Sequence, residues 1–324
     1  MSAGDLVVVF GGSGFIGKQV VRALAKRGYR VRVPMRRPHL GAELRVMGDV
    51  GQVQLVQANV RFPQSIDAAL EDVDAVVNLV AVMCEGGQQN FETLHVEAAQ
   101  AIAEAAAKRG IKRIVQMSAL GAAPKGARYV RSKYRGERAV LGAAPSATIL
   151  RPSIVFGPED NFFNRFAQMA TMSPFLPLIG GKTKFQPIFV GDVADAVVAA
   201  IGDRQAQGRV YEVGGPRTYT FKQLLEFITA EIDRPRTLLP LPFFFAHPIG
   251  LITNWVFKLL PWDPPITGDQ VTMLKRDNVV GADPDARTIA DLGVAPLESV
   301  EAIVPSYLWR FRPYGQFQTT QNPT

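Results

Sequence analysis

The sequence predicts an α/β fold, a doubly wound parallel sheet with a smaller C-terminal lobe, on three observations. Short β-branched runs alternate with helical segments through the first half, the pattern of a parallel sheet covered on both faces. The first run ends in a cluster of glycines that opens a helix. Beyond Pro152 the rhythm loosens into proline- and glycine-rich stretches, including Pro158, Pro174, Pro177, Gly180 and Gly181.

Leu6–Phe10 (LVVVF) is an apolar run closed by glycines, hence the first strand. Gly14–Lys26 is a helix with Ile16, Val20, Val21 and Leu24 on one face. Strands follow at Arg30–Val33, Val53–Gln57 and Ala75–Val80, the last too apolar to have a wet face. Phe91–Lys108 is Ala-rich and helical, and Arg109-Gly110 supplies its C-cap. Ile111–Met117 is the fifth strand, Tyr129–Leu141 a helix and Thr148–Arg151 the sixth strand, completing a Rossmann-type series. The series places one domain over 1–157 and the smaller lobe over 158–324, with some segments of the lobe returning to the sheet. Phe189–Ile201 reads as strand end, turn and helix, Arg209–Val213 as a returning strand, and Phe221–Ile232 as an amphipathic helix.

The chain has 324 residues, 47% hydrophobic and 20% charged, which excludes a disordered chain and a polytopic membrane protein. A net charge of +7 without a long Lys/Arg run favours anionic partners such as phosphates, acidic protein surfaces or headgroups, and not nucleic acid. One cysteine, Cys84, allows no intrachain disulfide and no multi-cysteine metal site; it reads as a packing residue. His39, His95 and His247 lack metal-ligand spacing and read as surface or packed histidines. No metal is expected. With the first strand at Leu6, a signal or transit peptide has no room, so the expectation is a soluble or peripheral protein. Leu238–Phe257 contains no charged residue, yet Pro240, Pro242 and Pro248 fall inside it, which argues against an isolated spanning helix. The stretch 238–260 is therefore expected to dock on a partner or a bilayer surface, with a buried helix from near Pro248 as the plainer reading. The segment 305–324 is read as an extended tail that packs on neighbours or folds back.

Gly11, Gly14 and Gly17 stand in G-x-x-G-x-x-G spacing after a strand and at the start of a helix. In that context Gly11 permits the tight turn, Gly14 lets backbone approach a pyrophosphate, and Gly17 lets the helix pack closely. With Ser13 in the turn, the free N–H groups around Phe15 and Ile16 face the phosphates. After the second strand comes Val33-Pro-Met-Arg36-Arg37, with no acid until Glu43. An acid there would hold the ribose of NAD, whereas Arg36 and Arg37 suit a 2′-phosphate. The predicted ligand is NADP(H). Asn59 and Val60 sit where an adenine edge is contacted, and Val80 and Ala81 offer small apolar surface to the dinucleotide.

Tyr129 and Lys133 form a Tyr-x-x-x-Lys pair on one helix face. An ammonium beside a phenol is expected to lower the phenol's pKa, and the same Lys holds the nicotinamide ribose. Ser118, at the end of strand five, is the candidate hydroxyl partner, followed by Ala119.

In these features the chain resembles the short-chain dehydrogenase/reductase superfamily, in its extended and atypical branch. The glycine turn, Tyr129 with Lys133, and Arg151-Pro-Ser-Ile-Val-Phe-Gly-Pro158 match in order, as do Phe189-Val-Gly-Asp-Val-Ala194 and Tyr211-Glu-Val-Gly-Gly215. The resemblance implies a place for Pro152 at the cofactor. From Pro264 to Val280 and from Tyr307 to Gly315, the chain is also similar to the nucleotide-binding accessory subunits of respiratory complex I. That narrower resemblance implies tightly held NADP(H) as a structural or regulatory ligand, with Tyr129, Lys133 and Ser118 vestigial as catalysts. The partners it implies are the other complex I subunits on the peripheral arm, with contact to the membrane surface. The location is the cytoplasmic face of the inner membrane, or the matrix side in a mitochondrion. The alternative is a stand-alone NADP-dependent reductase or epimerase with Tyr129 as acid/base, Lys133 as modulator and Ser118 as anchor.

Overall fold

A computed structural model describes residues 1–86, 89–244 and 268–317. The chain divides into two compact units, the first formed by Met1–Ser153, Val190–Gly214 and Val280–Pro296, the second by Ile154–Phe189, Gly215–Val279 and Leu297–Thr324.

The first unit opens with β1 (Leu6–Phe10), α1 (Phe15–Lys26), β2 (Arg30–Met35), the short helix α2 (Ala42–Arg45), β3 (Val53–Gln57), α3 (Pro63–Ala69) and β4 (Ala75–Asn78). It continues with α4 (Ala98–Lys108), β5 (Arg113–Met117), α5 (Arg128–Ala143) and β6 (Thr148–Pro152). α7 (Val190–Gly202), β11 (Val210–Val213) and β14 (Arg287–Thr288) belong to the same unit. Its eight strands are parallel, in the order β14-β11-β6-β5-β4-β1-β2-β3. Arg209–Val213 thus returns to the sheet beside β6, as its apolar run predicts. Every residue of β1, β4 and β6 is buried, and β1 and β4 up to Asn78 are accordingly apolar without alternation. α1 buries Gly17, Val20, Val21, Leu24 and Ala25 and packs on α7. α4 buries small residues, Ala98, Ala99, Ala103, Ala105 and Ala106 around Ile102, and lies against α5.

Strand order reverses between β1 and β4, because the chain first builds outward through β2 and β3 and then returns to the other side of β1. The carboxyl ends of strands at such a switch point form a crevice. Phe10 and Asn78 stand paired at that edge, directly before the glycine turn on one side and Val80 on the other.

The second unit contains β7 (Val155–Phe156), α6 (Phe163–Met172), β8 (Phe175–Leu178), β9 (Lys184–Phe185) and β10 (Ile188–Phe189). After Gly215 it adds β12 (Tyr219–Thr220), α8 (Phe221–Glu231), β13 (Thr237–Pro240) and α9 (Gly268–Met273), and at the end α10 (Val300–Ile303) and α11 (Pro305–Leu308). Its core is aromatic: Phe162 meets Phe163, Phe166, Phe185 and Phe221.

Several sequence expectations change here. The helix expected over Phe91–Lys108 begins as a π-helical turn, Glu92–Glu97, before α4. Of the stretch 238–260, residues 238–244 are described: Leu238–Pro240 pair in parallel with β8, and Phe244 is exposed. The helix expected from near Pro248 and His247 itself lie outside the described residues. Of the tail expected as extended over 305–324, residues 318–324 lie outside the described residues, and the rest is instead helical at Pro305–Leu308, Trp309–Phe311 and Gly315–Phe317. It folds back because Tyr307 donates to Asp160 Oδ2 (2.6 Å), Arg310 donates to Asn164 Oδ1 (2.6 Å), and Arg312 pairs with Glu231.

Candidate functional site

The glycine turn is shaped by three different constraints. Gly11 takes φ +78°, and a Cβ there would press on the Leu79 and Val80 backbone at 3.0–3.2 Å. At Gly17 a Cβ would lie 2.2 Å from the Gly11 carbonyl oxygen, so the helix approaches the strand as closely as it does because no side chain intervenes. Gly14 is different. It caps α1 with ordinary extended angles, φ −83° and ψ 176°, and a Cβ would meet only Gly11 O at 3.4 Å. Nothing in the chain itself requires glycine there, whereas a ligand lying on the backbone would. Ser13 is exposed. α1 starts without a side-chain cap and with no acid in its first turn, so the N–H groups around Phe15 and Ile16 and the positive helix end remain available to an anion.

The neighbouring strand ends are braced by polar groups that the sequence reading passed over. Asn78 Nδ2 donates to Gln116 Oε1 (2.8 Å), and Asn78 Oδ1 accepts from the Val80 N–H (3.1 Å). Gln116 Nε2 donates to the Met117 carbonyl (3.1 Å). Both residues interrupt apolar strands, AVVN and RIVQM, and that interruption was the available signal. The brace fixes Val80 beside Gly11, with Ala81 exposed next to it.

At the end of β2, Arg36 and Arg37 are exposed and have no ion pair or side-chain hydrogen bond among the described residues. Arg30 and Arg32 of the same strand are engaged, Arg30 on the Gly4 carbonyl and Arg32 on Gln54 and the Ala69 and Glu71 carbonyls. Glu43, the first acid after the strand, pairs with Lys18 Nζ at 3.0 Å. Asn59 Oδ1 accepts from the Arg61 backbone N–H (3.2 Å), while Val60 and Val80 are partly buried and each packs against the same core.

Tyr129, Lys133 and Ser118 are all buried. Lys133 Nζ stands 5.9 Å from the Tyr129 ring centroid and donates to the Met117 carbonyl at 3.3 Å. The expected lowering of the phenol does not occur: burial pushes Tyr129 up to about 12, and burial also brings Lys133 down to about 8 against the opposing pull of Glu137. Desolvation disfavours the charged form of each partner and outweighs their mutual attraction. The Ser118 hydroxyl is buried with no hydrogen-bond partner among the described residues, a cost of about 1–3 kcal/mol that a bound group would relieve. Pro152 ends β6 and is buried, its carbonyl accepting from the Leu120 N–H (2.8 Å).

His95, read as a surface or packed histidine, is packed and positions Tyr129. Ser132 Oγ donates to the Tyr129 carbonyl (2.7 Å) and so receives Nδ1–H of His95 (2.9 Å), leaving Nε2 to accept the Val82 N–H (3.0 Å). The imidazole stacks on Phe91 and meets the Tyr129 ring edge-on. Burial, with Lys133 nearby, lowers His95 to about 3, so it stays neutral. No sequence spacing links His95 to Ser132; the π turn brings them together. His39 is exposed and Cys84 partly buried.

The family described as NAD dependent epimerase/dehydratase matches residues 7–214. Over 307 residues the chain is 36% identical to NADH dehydrogenase (ubiquinone) 1 alpha subcomplex subunit 9, mitochondrial, of Arabidopsis thaliana, covering 91% of this chain and 75% of that one. Its Mus musculus counterpart is 34% identical over 309 residues, 93% of this chain and 80% of that protein. Among solved structures, the UDP-glucose 4-epimerase of Thermus thermophilus, in complex with NAD, superposes with a TM-score of 0.64 at 19% identity, over 95% of this chain and 99% of that one. That last likeness is one of fold.

Proposed function

The chain belongs to the NAD dependent epimerase/dehydratase family, and within it to the branch of the 1 alpha subcomplex subunit 9 proteins; from that premise we propose that it is an NADP(H)-binding accessory subunit of respiratory complex I, the dinucleotide serving as a structural or regulatory ligand. The observation that carries this reading is the extent of the likeness. The enzyme family match ends at residue 214, whereas the similarity to the subunit spans 91% of the chain.

The residues present fit a dinucleotide. When bound, NADP(H) supplies a hydride-carrying nicotinamide and, at its far end, a 2′-phosphate of close to two negative charges. Gly11, Ser13, Gly14, Phe15, Ile16 and Gly17 would hold the pyrophosphate by backbone N–H groups, and Arg36 and Arg37 the 2′-phosphate. Asn59, Val60, Val80 and Ala81 would border the adenosine half, and Ser118, Tyr129, Lys133 and Pro152 the nicotinamide half. A phenol held near 12 keeps its proton at neutral pH and acts as a hydrogen-bond donor, which suits holding the ligand better than shuttling protons. The reading puts the protein on the peripheral arm at the membrane surface, on the cytoplasmic face or the matrix side. Among the described residues no helix is long and apolar enough to cross a membrane.

The test is purification from native membranes together with the Tyr129→Phe substitution. Co-migration with complex I, intact assembly and unchanged respiratory activity in the variant are expected. A soluble protein whose carbonyl reductase activity disappears with the Tyr129 hydroxyl would instead establish the stand-alone enzyme.

A further inference from the structure

α5 carries a second feature that the dinucleotide site does not use. Arg128, Arg131, Arg135 and Arg138 recur at i, i+3, i+7 and i+10 and are all exposed, so they form one stripe about 15 Å long on the helix face. The stripe does not serve the helix. Like charges at this spacing destabilise it, and α5 has no acid in its first turn, where cations oppose the helix dipole. The one acid inside α5, Glu137, is buried on the other side against Arg151.

Two of the four are held in place from the flank. Glu85 pairs with Arg128 at 2.7 Å, and Glu92 receives Arg135 in a fork of 2.6 and 2.7 Å. Arg131 and Arg138 have no acid among the described residues. They are seven residues apart, about 10 Å along the axis. Along the stripe from Arg128 to Arg135 lies an open cleft of about 410 Å³ whose apolar walls are Phe91 and Pro124, with Tyr134 beside Arg131. Glu85 and Glu92, the acids already paired to Arg128 and Arg135, stand on its rim. A stiff row of guanidinium groups, half neutralised, next to a partly apolar cleft is complementary to a helix with acids on one face and an apolar side chain between them.

The geometry points to α5 as a docking surface for an acidic helical segment of another protein, its acids seven residues apart on Arg131 and Arg138 and its apolar side chain in the cleft by Phe91. The surface lies outside the dinucleotide cradle, so the inference does not depend on what that cradle holds.

The test uses the full chain with a labelled helical peptide carrying Glu at i and i+7 and Leu between them, against the same peptide with Gln at both positions. The Glu peptide is expected to bind at least tenfold more tightly at low salt, with the preference fading as salt screens exposed charges. Arg131→Ala with Arg138→Ala should remove at least tenfold of that affinity. Arg22→Ala with Arg27→Ala, which deletes the same charge from two other exposed arginines, should change it less than twofold. Equal losses in the two double variants would show diffuse attraction to a basic protein and overturn the proposal, as would no preference for Glu. Self-association that vanishes in the Arg131/Arg138 variant would also overturn it, because a second copy would then cover the face. Thermal unfolding and NADPH titration of that variant should match the parent, which keeps its failure separate from failure of the dinucleotide reading.

Discussion

A Cβ on Gly17 would lie 2.2 Å from the Gly11 carbonyl oxygen, while one on Gly14 would meet nothing nearer than that same oxygen at 3.4 Å. Two alanine substitutions three residues apart should therefore fail in opposite ways. Gly17→Ala forces helix and strand apart and should cost about 2–4 kcal/mol in denaturant unfolding. Gly14→Ala should leave stability within about 1 kcal/mol yet weaken dinucleotide binding at least about tenfold, as read by NADPH fluorescence titration. The arginine pair supplies the complementary test. Arg36→Ala with Arg37→Ala should weaken NADPH at least about tenfold, since charge-assisted contacts to the 2′-phosphate are lost, and leave NADH binding unchanged. These positions were legible in the sequence because a glycine's freedom and a charge after a strand are local properties. The direction of the Tyr129 shift was not, because the burial that drives it is created by Phe91, His95 and the sheet together.

The six strands from β1 to β6 were legible to within two residues at their ends, helped at β1 and β4 by burial on both faces, which makes a parallel strand a continuous apolar run. The two- to four-residue strands of the second unit carried no such run. The short helix Pro63–Ala69 left no readable period, since it buries only Ile66 and Ala69. The π-helical turn Glu92–Glu97 was likewise hidden inside an Ala-rich helical pattern, although it is what points His95 at Ser132 and the Val82 N–H. That placement has a pH consequence. His95 titrates at 6.5 in the unfolded chain and at about 3 in the folded one, so between these values the unfolded state binds the extra proton. Stability from this group is present above pH 6.5 and is lost as pH falls toward 3, by a few kcal/mol. Lys133 remains charged throughout that window and does not contribute to the slope. His95→Gln should therefore flatten the pH dependence of the unfolding free energy between 6.5 and 3 by close to one proton. An unchanged slope would place the acid sensitivity elsewhere.

The chain passes between its two units five times, because Val190–Gly214 and Val280–Pro296 return to the first unit while Ile154–Phe189, Gly215–Val279 and Leu297 onward form the second. The return of Arg209–Val213 to the sheet was readable; that of Arg287–Thr288 was not, as a two-residue strand carries no pattern. A unit assembled from three separate stretches cannot lose one of them without disturbing the others, so unfolding should be a single cooperative transition. Ligand bound to the first unit alone should then protect the whole chain. NADPH at about a hundred times its dissociation constant adds about 2.7 kcal/mol, which raises the thermal midpoint by roughly 4 °C for a 324-residue chain unfolding as one unit. Trp309 belongs to the second unit, so in a parent chain with Trp255→Phe and Trp262→Phe its fluorescence reports the part of the chain that does not carry the glycine turn. The tryptophan midpoint is expected to rise with the calorimetric one when NADPH is added. In the Arg36/Arg37 double variant, where tenfold weaker binding leaves about 1.4 kcal/mol at the same NADPH concentration, both should rise only about half as far. A tryptophan midpoint that stays still while the calorimetric transition moves would mean that the two units unfold independently and that the dinucleotide stabilises only its own.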